Sequence, residues 1–405
     1  MKKEYRCETH IIKRNHRLFK YCDEVCFKSK NLYNYANYMM RKEFIETRRL
    51  SSAYDYNKLL KTEEVFKELP AKTSQQIIMK LSKNWKSFFR AINDWKNNIH
   101  KYNGQPSLPK YKEKNGRNIV FFDYQQMKLL DKKFKFPKSD NYIESFISKE
   151  QFKQLQIIPY GSCYKICIYY QIEVPEKETY NNNYLAIDLG VDNLATLTNN
   201  IGLEPIIVNG KILKSINQYY NKILGKARSY VGNITSNRMK RISFKRNNII
   251  ETHFHIISRW ITNYCKSYNI ENIVVGKNKD WKRNSTMNKK SNQKFIQLPH
   301  ERLIQMLKYK GEEVGIRVIE VEESYTSKAS FIDNDEAKKG VNFSGERITR
   351  GLYRSKNGKL INADVNGSYN ILRKCNAQFS YESIEGLSLI PVRLNIAPNK
   401  EVRYV

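Results

Sequence analysis

The run YLAIDLGVDNLATL, residues 184–197, constrains the fold more than any other stretch because it sets a carboxylate into an apolar segment. A run this apolar predicts a strand that is buried on both faces. An unpaired, ionised Asp188 would be costly there, so either its pKa shifts or its carboxylate faces a cation, of which a metal ion is the simplest. The alternative is a core strand that ends at a polar Asp-Leu-Gly turn.

A second carboxylate, Asp364 in NADVNGSYNILRK, favours the metal interpretation. It precedes a short predicted helix, and only the fold could bring it to Asp188. Phosphodiester hydrolysis needs a nucleophilic water and a stabilised leaving oxygen, and two Mg²⁺ ions held by three or four carboxylates supply both. Two Asp residues are too few for such a site, so the pattern predicts a third acid.

The charge of the chain indicates a polyanionic partner. The formal net charge is +32, from 72 Lys and Arg against 40 Asp and Glu, and 28 Tyr and 18 Phe add rings that can stack on bases. Nucleic acid fits better than a membrane, because no run of 18 apolar residues and no secretory signal is present. The seven cysteines are dispersed without a CxxC pair, which predicts reduced thiols in a cytoplasmic protein.

The N-terminal half reads as helices inserted among short strands. A first strand precedes a helical pattern over about 22–48, and a long amphipathic helix begins near Lys72 with Thr73 or Ser74 as its predicted N-cap. Its polar face includes Gln76 and Lys80 and is either solvated or in contact with nucleic acid. A Gly/Pro/Lys-rich connector, residues 103–116, leads to short strands that predict a small barrel or sandwich up to about 175.

From residue 184, strands alternate with basic helices, which predicts an α/β sheet. A buried strand is expected at NIVVG (272–276) and a further strand in IRVIEVEESYTSK, with the amphipathic helix HERLIQMLKYKGEEVG between them. The stretch 376–405 has no clear periodicity and is expected to be irregular.

Four motifs of this half resemble the RuvC-like nuclease half of the transposon-encoded TnpB proteins, which are relatives of the type V CRISPR effectors. The motifs are IDLGVDNLATL, the helix around THFHIISRWI, ESYTSKAS and ADVNGSYNI. LPAKTSQQ, WKSFF and GQPSLPKYK resemble the N-terminal half of the same family. The resemblance implies an RNase H-like nuclease domain and a wedge-type β-barrel domain with an inserted helical recognition lobe. Asp188 and Asp364 match the family's first and last catalytic Asp, and Asn366 and Asn370 match neighbouring polar positions.

The resemblance also implies domain bounds. They are a wedge-type barrel over 1–22 and 117–178, a helical lobe over 23–116, a RuvC-like domain over 179–327 and 361–378, a loop over 328–360 in place of a zinc finger, and an irregular tail over 379–405.

The middle acid departs from the family pattern. Relatives commonly carry Glu directly after the strand that here reads NIVV, where this chain has Gly276. The next strand ends in EVEES, and neighbouring strand ends lie about 5 Å apart, so a carboxylate from it could reach the same metal. Alternation favours Glu323 as the substitute, with Glu322 second and Asp280 weaker. The alternative is that these acids only cap a strand beside nearby lysines.

The zinc site departs as well. Where relatives often carry two CxxC pairs, this chain has Ser330, Asp333, Arg354 and Asn357, so we expect no zinc. The segment 328–360 is then expected to be a metal-free loop or small hairpin. Arg347, Arg350 and Arg354 either place it on nucleic acid or belong to a solvated basic loop.

The expected protein is therefore a Mg²⁺-dependent, RNA-guided DNA endonuclease of a prokaryotic transposon, associated with the nucleoid when bound to DNA. Its partners would be guide RNA from the transposon end and target double-stranded DNA, without a membrane or a small-molecule cofactor. A short motif beside the target would be read by nucleic-acid contacts that we expect at Tyr54, Gln75, Gln76, Lys80 and Asn84. Alternatives are a nuclease-inactive RNA-guided DNA-binding regulator and a guide-independent transposase or junction nuclease.

Overall fold

The computed structural model describes residues 1–232, 234–277, 298–386, 388–396 and 402–404. The chain divides into two compact units. One comprises residues 3–173, and the other comprises residues 174–405 together with the first two residues. The finer predicted domain bounds stay predictions. No helix in the described part of the chain combines the length and the apolarity that crossing a bilayer requires.

The helices of the N-terminal unit follow its first strand, β1 (Lys2–Ile12), as predicted. They are α1 (Phe19–Thr47), α2 (Ala53–Leu60), α3 (Glu64–Lys67) and α4 (Ala71–Asn97), with a 3-10 turn at Ile99–Lys101. Apolar residues of α4 at helical spacing, among them Ile77, Leu81 and Trp85, are fully buried. The rings of Phe44 on α1 and Phe89 lie against Trp85, so α1 and α4 pack through an aromatic cluster.

The strands of this unit form two sheets. Strands β2 (Val120–Asp123), β6 (Phe152–Tyr160) and β7 (Cys163–Val174) join β1 in the order β1-β7-β6-β2. Strands β3 (Lys128–Leu130), β4 (Lys133–Lys135) and β5 (Tyr142–Glu144) form a separate meander. This pairing agrees with the sandwich alternative and does not form one closed barrel. Helices and both sheets share one hydrophobic core, so the predicted wedge and lobe form one compact body.

A seven-stranded mixed sheet organises the C-terminal unit. Its first strands, β8 (Tyr184–Leu189), β9 (Asn193–Asn199) and β10 (Ile206–Asn209), are antiparallel neighbours. Beyond β8 lie β11 (Asn272–Gly276) and β12 (Arg317–Val321), each parallel to the strand before it in the sheet. The predicted α/β sheet and the buried strand at residues 272–276 are thereby confirmed, and β12 is a partly exposed edge strand.

Helices cover both faces of this sheet. One face packs against three helices, which form a core with Leu185 and Ile187 of β8. They are α5 (Lys211–Val231), α6 (Asn237–Ser267) and α7 (His300–Glu313). The opposite face carries α8 (Ala363–Cys375), whose Ile371 packs in a second core with Ala186 and Val274. Because successive strand residues point to opposite faces, Asp188 shares the α8 face with Ala186. Small strands β13 (Glu346–Thr349), β14 (Leu352–Arg354) and β15 (Leu360–Asn362) precede α8 as the predicted small hairpin, extended to three strands.

The predicted start of α4 near Lys72 is confirmed, but its predicted N-cap is wrong. The N-cap is Pro70, not Thr73 or Ser74, because both hydroxyls are used elsewhere. The Thr73 hydroxyl donates to the Phe121 carbonyl and the Ser74 hydroxyl to the Phe66 carbonyl, each at 2.8 Å.

The C-terminal stretch is not irregular throughout. After a 3-10 turn at Tyr381–Ile384, strand β16 (Val392–Ile396) pairs in parallel with β10, and β17 (Val402–Tyr404) pairs with β16. Sheet pairing with a distant strand thus orders a segment that has no periodicity of its own. Asp280, the weaker candidate for the middle acid, lies outside the described residues.

Replacing Asn37 by alanine is expected to lower the free energy of unfolding of the N-terminal unit by about 1–3 kcal/mol. The buried Asn37 amide accepts from Trp85 Nε1 at 3.1 Å and donates to the Pro109 carbonyl at 2.9 Å, so its loss leaves a buried indole N–H without an acceptor. Urea unfolding of the full chain measures the change, with hydrogen exchange in α1 assigning the transition. Asn34→Ala is the control, since its half-buried amide bonds only to the Lys112 backbone. Equal effects of the two variants would contradict this account.

Candidate functional site

Asp188 lies near the end of β8, paired across the sheet with Thr196 of β9. It is half-buried and faces α8, where Gly367 is its neighbour. A Cβ built at Gly367 would stand 3.1 Å from Asp188 Oδ2, so a side chain there would push the carboxylate by a few tenths of an ångström. The predicted carboxylate in an apolar strand is therefore enclosed between the sheet and a helix.

Asp364 lies in the first turn of α8, which the Asn362 side chain caps by accepting from the Asp364 and Val365 amides. Its carboxylate accepts a hydrogen bond from Asn193 Nδ2 at 2.6 Å and lies 3.4 Å from the Arg347 guanidinium. Both Asp188 and Asp364 line one cleft, so the structure brings the two predicted Asp residues together.

Glu323 reaches the site from the strand next to β11. Gly276 is level with Val321 of β12, and Glu323 follows two residues later. A Cβ built at Gly276 would lie 2.5 Å from Ile371 Cδ1, 2.9 Å from Glu323 Oε2 and 3.2 Å from Glu323 Cβ. The side chains of Glu323 and Ile371 therefore occupy the space into which a side chain at position 276 would project.

The electrostatics of these acids follow from burial and mutual repulsion. The pKa of Asp188 is raised well above its ordinary value by burial and by the negative charges of Glu323 and Asp364, against an opposing effect of Arg347. Burial raises the pKa of Glu323 to about 7, with Lys374 opposing. Two carboxyl groups with raised pKa values beside a third carboxylate favour a compensating cation at this place.

The other acids of the EVEES segment point elsewhere. Glu322 is exposed, and its carboxylate accepts from the Ser324 hydroxyl at 2.8 Å. Glu320 forms ion pairs with Lys277 and Lys308 on the solvent side of β12. Glu320 therefore fits the alternative in which these acids only cap a strand beside lysines. Glu323 is the acid of this segment whose charge raises the pKa of Asp188.

The cleft that contains Asp188 and Asp364 has a volume of about 840 Å³ and a basic rim. Arg347 and Arg350, predicted from the 328–360 segment, both line it. Lys211 and Lys214 at the start of α5 line it as well. These two lysines were not predicted as site residues, although KILKSINQYYNK is visibly basic, because nothing local places α5 beside the site.

Asp192, in the turn after β8, and Asn193, the first residue of β9, are further site residues that the sequence did not predict. The Asp192 carboxylate pairs with Lys214 and, at 2.9 Å, with Arg350, while Asn193 holds Asp364. The polar turn GVDN carried the signal, but its partners come from α5, the 346–354 hairpin and α8. This turn fixes the orientation of the groups that surround the two Asp residues.

Arg354 does not reach the cleft. Its guanidinium pairs with Glu346 on the neighbouring strand of the hairpin. The hairpin register explains the difference, because Glu346 is directly opposite Arg354. The expected contact of Arg354 with nucleic acid therefore has no counterpart in the geometry of this cleft.

Hydrogen bonds join the two turns where relatives often carry zinc ligands. The Asp333 carboxylate accepts from the Ser330 hydroxyl at 2.6 Å and from the Lys356 amide at 2.9 Å. These bonds tie the first turn to the second, which contains the predicted positions Arg354 and Asn357. The expectation that no zinc binds stays a prediction.

Asn366 and Asn370, the polar positions matched in the last motif, are buried and structural. Asn366 bonds to the Phe331 amide and the Ala329 carbonyl, and Asn370 donates to the Thr326 and Ala329 carbonyls. They anchor residues 326–331, the segment that follows Glu323, to α8. Their role in this structure is to hold the two acidic segments in register.

The predicted nucleic-acid contacts of the N-terminal unit lie on its own surface. Tyr54 is 77% exposed on α2, and Gln75 and Lys80 are exposed on α4. Gln76 and Asn84 are half-buried, and Gln76 accepts from the Gln154 amide at 3.1 Å. These side chains are available on the polar face, and their contact with nucleic acid stays a prediction.

The three acids fit a divalent metal by their chemistry. Carboxylate oxygens are the hard ligands that Mg²⁺ prefers, and the raised pKa values indicate uncompensated negative charge. Among the described residues, however, no three His, Cys, Asp or Glu side chains are gathered closely enough to ligate one ion together. Asp364 is instead held by Asn193 and Arg347, so its carboxylate would have to turn towards Asp188 for all three acids to share an ion.

Comparisons with known proteins agree with the motif analysis. A family of probable transposases, OrfB_IS605, matches residues 167–282, and the TNB domain of Cas12f1-like proteins matches residues 300–371. The "TnpB-like protein ORF457" of Acidianus two-tailed virus is 23% identical over 423 residues, which cover 92% of this chain and 87% of the viral protein. The family resemblance predicted from the motifs is thereby confirmed.

Two solved structures are among those similar to this chain. One is a Cas12f1–sgRNA–target DNA complex, 15% identical with a TM-score of 0.49, covering 87% of this chain and 82% of that chain. The other is the mini RNA-guided endonuclease CRISPR-Cas_phi3, 10% identical with a TM-score of 0.42, covering 96% of this chain and 93% of that chain.

Replacing Gly367 by alanine is expected to weaken Mn²⁺ binding about tenfold, because the new Cβ displaces the Asp188 carboxylate. Mutating a residue that contacts a metal ligand typically lowers the metal affinity tenfold to hundredfold. Titration calorimetry of the full chain with Mn²⁺ measures the change. Gly351→Ala is the matched control, since Gly351 lines the same cleft and a Cβ there meets nothing within 4 Å. Equal affinities of the two variants would contradict the close approach of α8 to Asp188.

Proposed function

We propose, from its similarity to TnpB proteins, that this chain is an RNA-guided DNA endonuclease of a transposon. The cutting site would lie in the C-terminal unit, in the sheet where β10, β9 and β8 are antiparallel and β11 and β12 continue in parallel, and this sheet would be the RNase H-like core that the resemblance implies. Asp188, Asp364 and Glu323 would be its catalytic residues.

One observation carries this proposal. Glu323 fills the space beside Gly276, and its charge acts on Asp188 together with that of Asp364. A chain that had lost its middle acid without replacement would have no reason to enclose a third carboxylate at this place, because burying like charges together is costly. The arrangement is therefore better explained as a metal-binding site whose middle ligand comes from the neighbouring strand.

The residues present would hold Mg²⁺ through Asp188, Asp364 and Glu323. Bound Mg²⁺ supplies an activated water and neutralises charge on the phosphate and the leaving oxygen, which a two-metal site does for both oxygens of an in-line displacement. The chain's own groups would take part. Asn193 and Arg347 hold the Asp364 carboxylate until it turns towards an ion, and the close approach of α8 at Gly367 encloses Asp188 on one side.

The basic rim of the cleft would bind the backbone of the strand that is cut. Lys211 and Lys214 on α5 line the same cleft as Arg347 and Arg350, so four cations surround the acids. Asp192 fixes Lys214 and Arg350 in place, which reduces the ordering cost when a phosphate arrives. Such contacts are independent of sequence.

Sequence would be read by base pairing with guide RNA from the transposon end, while the protein holds the guide–target duplex by its shape and backbone. A short motif beside the target would be read by Tyr54, Gln75, Gln76, Lys80 and Asn84 in the N-terminal unit. Glutamine amides can make paired hydrogen bonds with adenine in the major groove, and lysine can bind guanine.

A nuclease-inactive RNA-guided regulator is the second candidate. It is favoured by Gly276 and by the lack, among the described residues, of three metal-ligating side chains already gathered around one point. A guide-independent transposase or junction nuclease is a third candidate, and copurification of RNA with the protein would exclude it.

Asp188→Ala or Asp364→Ala is expected to reduce cutting by more than about a hundredfold, because each removes a proposed metal ligand. Losing a residue that only contacts a metal ligand already lowers activity up to about a hundredfold. The assay is cleavage of a matched plasmid by the purified protein with its RNA in Mg²⁺. DNA binding, measured by gel shift, should persist in both variants. Binding without cutting by the wild-type protein under Mg²⁺ and Mn²⁺ would instead support the regulator.

Exchanging the position of the middle acid tests the role of Glu323. Glu323→Gln is expected to lose cutting by more than about tenfold, since it keeps the shape but removes the charge. The double variant Glu323→Ala with Gly276→Glu is expected to cut better than Glu323→Ala alone, because it returns a carboxylate to the same space from β11. Glu322→Gln is the matched control and should cut like wild type. Unchanged cutting by Glu323→Gln would contradict the assignment.

A further inference from the structure

The Gly/Pro/Lys-rich connector of the N-terminal unit is held against α1. We call residues 106–114 the strap. Four side chains that follow one another at helical spacing along α1 bond to its backbone: Lys30 to the Lys114 carbonyl, Asn34 to both polar groups of Lys112, and Asn37 and Arg41 to the Pro109 carbonyl, all at 2.8–2.9 Å. The strap therefore runs antiparallel to α1, and its backbone is fixed before any ligand arrives.

A cleft of about 430 Å³ lies between the strap, α1 and α4. Its lining combines aromatic rings, neutral hydrogen-bonding groups and cations, represented by Tyr33, Phe88, Tyr111, Asn84, Ser87 and Lys112. The Ser87 hydroxyl donates to the Lys83 carbonyl, which leaves its oxygen lone pairs as acceptors. The Tyr33 ring is buried, and the Lys112 ammonium lies over it at 5.2 Å from the ring centre.

The chemistry of this lining selects one kind of ligand. Aromatic faces stack on any base, an amide and a hydroxyl can bond to base edges, and lysines bind phosphate. The volume is at the low end of small-ligand sites, about 300–1,000 Å³, which suits one nucleotide and excludes a duplex. The net charge of +32 also favours a polyanion over an apolar ligand or a second protein.

We propose that this cleft binds one unpaired nucleobase of a single-stranded nucleic acid, stacked on Tyr111, with the adjoining phosphate on Lys110 and Lys112. The strap supplies both parts of the site. Its hydrogen bonds to α1 fix the backbone from which Tyr111, Lys110 and Lys112 project, and the Tyr111 ring also lies against the Arg41 guanidinium. The inference rests on the proposed function only in that the protein binds nucleic acid, and it requires no cutting.

The test of stacking is fluorescence anisotropy of the full chain with labelled 12-nucleotide oligouridine and oligothymidine, read without Mg²⁺. Tyr111→Ala is expected to weaken binding about fivefold to a hundredfold, as loss of one stacked base does, while Tyr111→Phe keeps wild-type affinity. Tyr38→Ala is the matched control, because Tyr38 is 52% exposed on α1 and Tyr111 is 46% exposed. A greater loss of affinity for oligouridine than for oligothymidine assigns the bound base to RNA, and the reverse assigns it to DNA.

The test of the phosphate contact is the salt dependence of the same binding. Lys110→Ala with Lys112→Ala should reduce the slope of log affinity against log salt by about 0.7 for each lost contact. Lys42→Ala, an exposed lysine of α1 outside the cleft, should leave the slope unchanged.

Wild-type affinity of Tyr111→Ala for both oligonucleotides would overturn the proposal, as would an equal loss in Tyr38→Ala. Because the readout is binding alone, failure of the nuclease proposal leaves this result intact. Conversely, the wild-type chain could cut DNA with guide RNA while Tyr111→Ala binds these oligonucleotides as tightly as wild type. That result would support the nuclease proposal and contradict the nucleobase proposal.

Discussion

The enclosure of like-charged carboxylates between β8 and α8 is the constraint on which the C-terminal unit depends. Asp188 cannot be buried beside Glu323 and Asp364 without raising its pKa or gaining a cation, so the surroundings must be specific. Gly367 provides the space, and the buried Asn366 and Asn370 hold the neighbouring segment to the helix. The same polar groups that would destabilise an ordinary core therefore fix the position of α8 on the sheet.

The third acid shows how a site can move between strands without changing its place in space. Parallel pairing puts Gly276 level with Val321, and the chain beyond β12 turns Glu323 back over the glycine. Adjacent strands are only about 5 Å apart, so a side chain from either strand end can fill one volume. Gly276 and Glu323 are complementary, because a side chain at 276 would collide with the glutamate that replaces it.

Sequence reasoning succeeded where a signal was local. The apolar run around Asp188, the 3.6-residue periodicity of α4 and the motif at Asp364 each specify their own element. It failed where the partner lies far along the chain. Strand β16 has no pattern of its own and is ordered by pairing with β10, and Thr73 and Ser74 bond to distant carbonyls in place of capping a helix. Lys211, Asp192 and Asn193 became visible as site residues only when the fold gathered them around Asp364.

The central claim is that Glu323 completes a metal site with Asp188 and Asp364. Its most direct measurement is an anomalous difference map at the manganese edge from crystals of the full chain soaked in Mn²⁺. The account predicts density between the three carboxylates, with Glu323 as a direct ligand and Asp364 turned from Asn193 towards the ion. Density that is bound by Asp188 and Asp364 but not by Glu323, or no density at this place under saturating Mn²⁺, would contradict it.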